Sequence, residues 1–369
     1  MSTKIITVIG SLNTDLVTVT PRVPDGGETL TATSFSTGSG GKGANQAVAA
    51  ARLSRPKPPT PTHEEPLTIK MIGAVGEDTF GPSLIAGLSK DGIDTSSIQT
   101  IPNQTTGVAV ILVESTSGEN RILLQPGANH SLFPSSFLTP SSLGTPLPSL
   151  IILQLEIPLE TVLQIMNTAK QAHIPVLLNP APAIELPDSC YKNIDHLILN
   201  ETEAALLSSR PLSVLTAPGF NWSTITTLFL KKGVKNVVIT LGSKGAFFAH
   251  EGMEEGVLVE ATKVERVVDT TAAGDTFVGS YAVNVVRSGS GLVDEGVVGG
   301  ACRASARTVE RVVDTTAAGD TFVGSYAVNV VRSGSGLVDE GVVGGACRAS
   351  ARTVQREGAQ SAIPWADEV

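Results

Sequence analysis

The chain has 369 residues, of which 41% are hydrophobic and 17% charged, enough for one large α/β domain or two small ones. Its 26 Lys and Arg residues against 35 Asp and Glu residues give a formal net charge of -9, which argues against a general affinity for nucleic acid. The three cysteines are too few for a disulfide framework, and they contain no C-x-x-C pair for zinc. The sequence also contains no uninterrupted apolar run of about 18 residues, which excludes a membrane helix. We therefore expect a protein of the cytoplasm, with the nucleus as a second location, that contacts neither nucleic acid nor membrane.

In chain order, the sequence begins with a strand, a helix and a proline-rich loop. Residues 5–10 are rich in β-formers, and residues 44–53 favour a helix directly after a glycine cluster. The prolines of residues 54–66 exclude a helix or a central strand, so we expect a surface loop. Strand-like and helix-like segments then alternate at 68–75, 78–90, 150–156, 159–173, 175–179, 196–200, 223–232 and 236–241. This alternation predicts a mostly parallel sheet with helices on both faces, and a ligand site beyond the carboxyl ends of its strands.

Two further stretches depart from that alternation. Segments within residues 16–37 and 105–126 alternate apolar and polar side chains, as in GVAVILVE. This period of two is typical of antiparallel strands with one covered face. We expect these stretches to form a small separate sheet that acts as a lid.

The C-terminal region contains a tandem duplication, because residues 265–309 recur letter for letter as residues 310–354. Two units are too few for a solenoid, which needs about three or more. The lack of divergence indicates a very recent duplication or an error of sequence assembly. Without one 45-residue copy the chain would have 369 - 45 = 324 residues. Closing a loop of that size costs on the order of 3 to 4 kcal/mol, so the chain can fold with one copy looped out.

The strongest site signal is VDTTAAGD at residues 268–275, directly before a helix-compatible run. Small residues at a helix start leave backbone N–H groups unshielded, and the helix dipole adds positive potential, which suits a phosphate or a migrating phosphoryl group. Asp275, in the first turn, could accept a proton from an attacking hydroxyl. The structural alternative is that Asp275 only balances the helix dipole and that Thr270 or Thr271 caps the helix.

The second signal is GSGGKGAN at residues 38–45. It contains G-x-G-x-x-G, but no buried strand precedes it, so a dinucleotide fingerprint is excluded. The lack of Ser or Thr after the lysine excludes a P-loop. What remains is a glycine-rich approach to a small polar ligand, with Lys42 and Asn45 as cation and amide, or a flexible glycine hinge.

Three weaker signals each have a structural alternative. Asn13 and Asp15, at the end of the first strand, suit bidentate binding of sugar hydroxyls or an Asx turn. The NETE run at 200–203 suits a Mg²⁺ shell held through water or a helix cap. The TLGSKG run at 240–245 suits nucleotide phosphates or a hairpin turn. The five histidines lack metal-ligand spacing and are taken as structural or solvated: His63, His130, His173, His196 and His250.

The motifs in combination resemble one family. The segments are GSLNTD at 10–15, GGKGANQA at 40–47, NETE at 200–203, TLGSKG at 240–245, DTTAAGDTF at 269–277 and REGAQSAIPW at 356–365. In order and spacing they resemble the phosphofructokinase-B-like sugar kinases, and among these the ribokinases more than the fructokinases or adenosine kinases. The resemblance implies a single ribokinase-like α/β domain over residues 1–369, with three layers, a mostly parallel central sheet flanked by helices, and a small antiparallel β-lid that also mediates a homodimer. It further implies ATP-dependent phosphorylation of D-ribose at its 5-hydroxyl, in D-ribose catabolism, with Mg²⁺ and an activating K⁺.

The resemblance also implies roles for individual positions. The sugar would be contacted by Asn13, Asp15, Gly41, Lys42, Asn45, Glu156 and Asp275. The nucleotide would be lined by Asn200, Thr240, Leu241, Gly242, Ser243, Lys244, Gly245, Gly274 and Asp275. The anion hole would be formed by Ala272, Ala273 and Gly274. The monovalent cation would be bound by the loops that contain Asp269, Thr271, Thr353, Arg356, Gly358 and Ala362.

The duplication leaves two candidates for the catalytic base, Asp275 and its copy Asp320. We favour Asp275, and expect a hybrid in which the first copy supplies the catalytic helix, the chain bulges near residues 287–291, and the second copy supplies the next helix and the tail. Two alternatives to a ribose kinase stay open at this point. One is a kinase for another small sugar or nucleoside, and the other is a sugar- or nucleotide-binding protein whose catalysis the duplication has impaired.

Overall fold

The computed structural model of the chain describes residues 4–58, 67–116, 120–262, 272–311, 360 and 363–368. In chain order the strands of these ranges are β1 (Lys4–Ile9), β2 (Asn13–Thr20), β3 (Ser34–Gly40), β4 (Leu67–Gly76), β5 (Asp94–Ile101), β6 (Gly107–Glu114), β7 (Asn120–Gln125), β8 (Leu150–Leu153), β9 (Val176–Leu178), β10 (His196–Asn200), β11 (Asn236–Thr240), β12 (Ala246–His250) and β13 (Val257–Val259). The helices are α1 (Lys42–Leu53), α2 (Phe80–Lys90), α3 (Leu159–Gln171), α4 (Glu201–Leu207), α5 (Leu212–Leu215), α6 (Ser223–Lys231), α7 (Ala273–Ser288) and α8 (Glu295–Arg311).

The larger sheet is mostly parallel, as the alternation of segments predicted. Its order is β13-β12-β11-β10-β9-β8-β1-β4-β5, and every pairing from β11 to β5 is parallel. Only β12 and β13 add antiparallel pairs at one edge. The central strands are apolar throughout, as in LIIL of β8, because helices cover both faces of the sheet.

Two apolar cores lie on opposite faces of this sheet. One contains buried side chains of α1, α2, α7 and α8, and the other contains side chains of α3, α4, α5 and α6. The sheet and the two helical layers therefore form the predicted three-layer α/β fold. Within the described ranges, no helix combines the length and apolar character needed to cross a membrane.

The second sheet is the predicted lid, with the order β3-β2-β6-β7. Its two outer pairings are antiparallel, while the central pair of β2 and β6 runs parallel. The lid begins at Asn13, four residues after β1 ends at Ile9. Asn13 and Asp15 are therefore residues of the first lid strand and not of β1.

Three strands were missed by the sequence prediction. The edge strand β5, DTSSIQTI, is polar and half exposed, so it lacks the apolar run of a buried strand. Strand β13 has only three residues, and β12 (AFFAH) directly follows the turn after β11. Strands β5 and β13 lie at the two edges of the sheet, where burial imposes the weakest pattern on a sequence, while β12 lies one strand inside the β13 edge.

The first copy of the duplicated segment supplies both C-terminal helices. Helix α7 (Ala273–Ser288) lies wholly within residues 265–309. Helix α8 (Glu295–Arg311) begins in the same copy and extends two residues beyond it. The predicted bulge near residues 287–291 is therefore wrong, because the first copy's own second helix is adjacent in the chain and packs on α7 without a long loop closure. Thr308 of α8 donates a hydrogen bond to Thr276 of α7 at 2.8 Å. Asp320 and the rest of residues 312–359 lie outside the described residues.

Candidate active site at the carboxyl ends of the strands

The candidate site begins where β1, β8, β9 and β10 end and where helices α1 and α7 start. Gly41 precedes α1 with φ 89°, a left-handed conformation that suits glycine. A Cβ at Gly41 would also lie 2.7 Å from the backbone nitrogen of Asn13, so the lid strand and α1 approach too closely for a side chain. This glycine thus fixes the N-terminus of α1 against the first lid strand.

Asp275 lies in the first turn of α7 and is buried. Its Oδ2 accepts a hydrogen bond from Asn45 Nδ2 at 3.0 Å, and its Oδ1 accepts one from Gln46 Nε2 at 3.0 Å. Both donors belong to α1, so the glycine-rich motif and the DTTAAGD motif meet in space although they are 230 residues apart. The Oδ1 atom of Asn45 is buried without a hydrogen-bond partner among the described residues, which leaves it ready to accept from a ligand hydroxyl.

The start of α7 has the backbone conformation of an anion site. Ala272 precedes the helix with φ 62°, a left-handed conformation that is unfavourable for alanine. No side chain that the structure describes caps the helix, so the N–H groups of its first turn, which includes Ala273 and Gly274, have no side-chain acceptor there. Together with the helix dipole, these groups favour a phosphoryl oxygen at this point.

Glu156 joins the lid strand to the start of α1. Its Oε2 accepts hydrogen bonds from Ser11 Oγ at 2.6 Å, from the backbone N–H of Lys42 at 3.0 Å and from Asn13 Nδ2 at 3.4 Å. Asn129 Nδ2 in turn donates to Asn13 Oδ1 at 2.8 Å. The carboxylate of Glu156 therefore holds Asn13 and the α1 N-terminus in one constellation of polar groups.

Asp15 lies beside these groups on the buried side of the lid. A Cβ at Gly40 would lie 2.3 Å from both Asp15 carboxylate oxygens, so a side chain at that position would displace the Asp15 carboxyl group. Burial, together with the nearby charges of Glu156 and Asp275, raises the pKa of Asp15 to about 7. A carboxyl group in this position gains most from a ligand that brings hydroxyl donors to its charged form.

Lys42 supplies positive charge among the carboxylates. Burial lowers the pKa of Lys42, but the charges of Asp275, Glu156 and Glu203 raise it by more, so the net pKa lies above the ordinary value. The ammonium group is thus charged at neutral pH. It lines a cavity of about 180 Å³ together with the start of α7 and the ends of β10 and β11.

That cavity is lined by Asn200 and Glu203 of the NETE run and by Thr240. Asn200 and Glu203 form a reciprocal capping box at the start of α4, with the Asn200 side chain accepting from the Glu203 N–H at 2.8 Å. The motif is therefore a helix cap, as one of its two interpretations predicted, and both residues also line the cavity. Burial raises the pKa of Glu203 to about 7.

The TLGSKG segment forms the turn between β11 and β12. Thr240 lies at the cavity, Leu241 is buried, and residues 242–244 form a short 3-10 turn. Lys244 Nζ lies 3.7 Å from Glu201 Oε1. Gly245 has φ 103°, and a Cβ there would lie 2.0 Å from the backbone oxygen of Val259. The segment thus forms a hairpin turn, which was one of its two interpretations, and it borders the cavity at Thr240.

The predicted cation loops are not among the described residues. All six positions lie outside them: Asp269, Thr271, Thr353, Arg356, Gly358 and Ala362. The same holds for Asp320 and for Thr270. Thr308, the first-copy counterpart of Thr353, lies in α8 and bonds to Thr276.

Sequence reasoning missed several polar residues of the site. Ser11 donates to Glu156 and Asn129 donates to Asn13, while Gln46 donates to Asp275 and is itself held by Gln154 and Asn179. Gln46 follows Asn45 in the glycine motif, and Gln154 and Asn179 lie at the ends of apolar strands. A polar residue at the carboxyl end of a buried strand was the signal that could have found the last two.

Comparison with known proteins agrees with this geometry. The family described as pfkB family carbohydrate kinase matches residues 3–310 and, a second time, residues 292–366. The chain therefore belongs to the pfkB family of carbohydrate kinases. The second match covers the C-terminal part of the duplication and the tail, as expected if each copy carries the family's pattern.

Two relatives and two solved structures illustrate the likeness. A ribokinase of Schizosaccharomyces pombe is 44% identical over 302 residues, covering 81% of this chain and 90% of the relative. A deoxyribokinase of Salmonella typhi is 38% identical over 285 residues, covering 77% and 86%. The ribokinase structure from Thermotoga maritima has a TM-score of 0.71 at 29% identity and covers 99% of this chain and 97% of its own. The Arabidopsis thaliana ribokinase complexed with ribose and ATP has a TM-score of 0.72 at 30% identity and covers 84% and 93%.

Proposed function

We propose that the protein is an ATP-dependent kinase that phosphorylates D-ribose at its 5-hydroxyl, giving D-ribose 5-phosphate and ADP. The observation that carries this proposal is the hydrogen bond from Asn45 Nδ2 to Asp275 Oδ2, 3.0 Å long, at the start of α7. It lies beside a cavity that Asp275 and Lys42 both line. A proton acceptor, a ligand-facing amide and unshielded helix N–H groups at one point are what phosphoryl transfer to an alcohol requires. Relatives described as ribokinases supply the substrate class.

In the proposed mechanism, the sugar binds between the lid and α1. Asp15 accepts hydrogen bonds from its hydroxyls, and Asn13 donates one to a hydroxyl oxygen. Asn45 Oδ1 accepts a hydrogen bond from a hydroxyl next to Asp275. Asp275 takes the proton of the 5-hydroxyl as that oxygen attacks the γ-phosphorus of ATP, and ADP leaves. The first-turn N–H groups of α7 and the Lys42 ammonium stabilise the charge on the migrating phosphoryl group.

The nucleotide would lie along the cavity formed by the ends of β10 and β11. Asn200, Thr240 and Gly274 line it, and the TLGSKG turn borders it. The lid would cover the sugar and exclude water, so that ATP is not hydrolysed without an acceptor.

We include Mg²⁺ and K⁺ as cofactors of this proposal. Among the described residues no group of three or more His, Cys, Asp or Glu side chains could hold a metal by itself. Oxygen donors of Glu203 and Asn200 at the cavity suit Mg²⁺, which binds through one or two carboxylates, water and substrate phosphates. When bound, the ion would neutralise charge on the nucleotide phosphates. Activation by K⁺ rests on the resemblance of the loop sequences alone, and its test is the rate in KCl compared with NaCl at equal ionic strength.

A homodimer through the lid completes the proposal. Phe35 and Leu123 share one face of the lid with Leu16 and Leu112, as the strand register requires. Phe35 is 63% exposed and Leu123 is 68% exposed. Exposed apolar side chains that share one face of a sheet mark an interaction surface, and a second copy of the lid presents the complementary apolar face.

The experiment that tests the function is a pair of matched substitutions, Asp275→Asn and Asp320→Asn, assayed with ATP and ribose. We expect Asp275→Asn to lower kcat by about 10³-fold, since a positioned general base contributes 10²- to 10⁴-fold, and Asp320→Asn to leave kcat unchanged. Loss of activity only with Asp320→Asn would assign the base to the second copy. A panel of ribose, 2-deoxyribose and a nucleoside tests the substrate, and calorimetric binding without turnover would instead indicate a non-catalytic binding protein.

A further inference from the structure

The amide side chains of two glutamines form a chain of hydrogen bonds that ends on Asp275. Gln154 Nε2 donates to Gln46 Oε1 at 2.7 Å, and Gln46 Nε2 donates to Asp275 Oδ1 at 3.0 Å. Both glutamines are 0% exposed. They come from different elements, because Gln46 lies in α1 and Gln154 directly follows β8.

The chemistry of the carboxylate fixes the orientation of both amides. An ionised carboxylate only accepts hydrogen bonds, so Gln46 must turn its NH₂ group toward Asp275 and its carbonyl oxygen toward Gln154. Gln154 must then turn its own NH₂ group toward Gln46. The second N–H of Gln46 donates to Asn179 Oδ1 at 3.1 Å, so all three polar contacts of the Gln46 amide agree on one orientation.

The backbone makes room for this arrangement. A Cβ at Gly10 would lie 2.0 Å from Gln154 Oε1, so any side chain at position 10 would displace Gln154. The glycine that opens the GSLNTD motif is therefore needed for the position of an amide two hydrogen bonds away from the carboxylate.

The two oxygens of Asp275 consequently have different surroundings. Oδ1 is bound to Gln46, whose amide is itself held by Gln154 and Asn179. Oδ2 is bound to Asn45, whose Oδ1 has no partner among the described residues. A ligand hydroxyl that bonds to Asn45 Oδ1 therefore lies on the Oδ2 side of the carboxylate.

We propose that Gln46 and Gln154 are positioning residues that hold Asp275 through Oδ1 and leave Oδ2 as the oxygen that accepts the substrate proton. The proposal rests on the proposed function, because it assigns an orientation to the base of that reaction. Gln154 acts only through Gln46, and neither glutamine contacts the substrate.

The test is a double-substitution cycle in the full chain carrying Asp320→Asn, so that the second copy cannot supply a carboxylate. We expect Gln154→Met to lower kcat about 10-fold and Gln46→Leu about 100-fold, since a misplacement of about 1 Å at a reacting group can cost that much. The KM values for ribose and ATP should change less than about threefold. Adding Gln154→Met to Gln46→Leu should lower kcat no further, because the relay is already broken.

The matched control is Gln164→Met, which removes another glutamine that donates to a side chain, Thr168, but lies on α3 away from the site. It should leave kcat unchanged. If Gln46→Leu does not fold, Gln154→Met alone tests the relay, which predicts a lower kcat at unchanged KM. Additive losses in the cycle, or kcat within twofold of the parent in folded Gln154→Met, would overturn the relay. If the unsubstituted chain makes no ribose 5-phosphate, the proposed function fails. If the unsubstituted chain is active but the Asp320→Asn parent is not, the second copy supplies the base, the function stands and the relay to Asp275 is overturned.

Discussion

At the scale of single residues, the site depends on how burial changes the behaviour of ordinary polar side chains. Glu156, Glu203 and Asp275 lie around one lysine, Lys42, and Asp15 lies near Glu156 and Asp275, so carboxyl groups outnumber ammonium groups in this cluster before any ligand binds. The raised pKa of Asp15 follows from this arrangement, with burial as its largest cause. The identity of these residues was readable in the sequence, but their mutual effect on ionisation depends on distances that no local motif contains.

This charge pattern predicts the pH dependence of sugar binding. The pKa of Asp15 in the folded protein is about 7, so the carboxyl is neutral below that pH and loses its ability to accept two hydroxyl hydrogen bonds. We expect kcat/KM for ribose, measured at saturating ATP, to rise with pH through about 7 and to fall roughly tenfold per pH unit well below it. Asp15→Asn should lower kcat/KM and remove this limb, whereas Asp25→Asn at an exposed lid position should keep it. An unchanged limb in Asp15→Asn would show that another group titrates.

At the scale of elements, the decisive contact is between α1 and α7. Gly279 of α7 approaches α1 so closely that a Cβ would lie 2.4 Å from the Ala49 Cβ and 2.7 Å from the Ala50 nitrogen. The alanine-rich sequence of α1 predicts a helix, and its small side chains explain why another helix can come near. Only the packing shows that this contact brings Asn45 and Gln46 to Asp275.

The duplication offers a matched pair of variants for this contact. Gly279→Val should lower the free energy of unfolding by about 3 kcal/mol, because overpacking in a filled interface costs about that much. Gly324→Val, the same change in the second copy, should have little effect on the thermal midpoint. Equal destabilisation by both would mean that the copies exchange, and destabilisation by Gly324→Val alone would mean that the second copy packs on α1.

At the scale of the whole molecule, the C-terminal tail contacts helix α1 near the start of the chain. Arg52 of α1 donates to the backbone oxygens of Gln360 and Ile363 and pairs with Asp91 at 2.8 Å, while Trp365 lies 5.7 Å from the Arg52 guanidinium. The tail thus packs beside α1 although the second copy separates it from α8 in the sequence. We propose, as the resemblance implied, that the tail and the preceding elements belong to one domain.

Deletion of residues 310–354 tests whether the extra copy contributes anything to the fold. The resulting chain of 324 residues is identical whichever copy is removed. We expect it to retain ribose kinase activity and to gain about 2 kcal/mol in free energy of unfolding, since a long connection before Gln360 no longer has to be closed. Denaturant unfolding and a ribose assay measure both. A less stable or inactive deletion variant would show that the second copy is part of the working fold.

The lid face gives a prediction about assembly. Leu123→Arg places a charge in the exposed apolar face of the lid and should shift the protein from dimer to monomer in sedimentation velocity. The control Val214→Arg changes a 47% exposed valine of α5, remote from the lid, and should leave the sedimentation coefficient unchanged. A monomeric parent, or a Leu123→Arg variant that still dimerises, would contradict the lid interface.

The sequence by itself determined the fold class, the lid and the motifs of the site, because buried parallel strands, amphipathic helices and glycine turns each impose a local pattern. It left open whether NETE was a helix cap or a ligand site, and Asn200 and Glu203 turn out to form a cap that also borders the cavity. Only the tertiary structure decided that the first copy supplies both α7 and α8, since identical residues carry no information about which copy packs. It alone joined Gln154, Gln46 and Asp275, because a hydrogen-bond chain between β8, α1 and α7 depends on packing distances across more than a hundred residues of sequence.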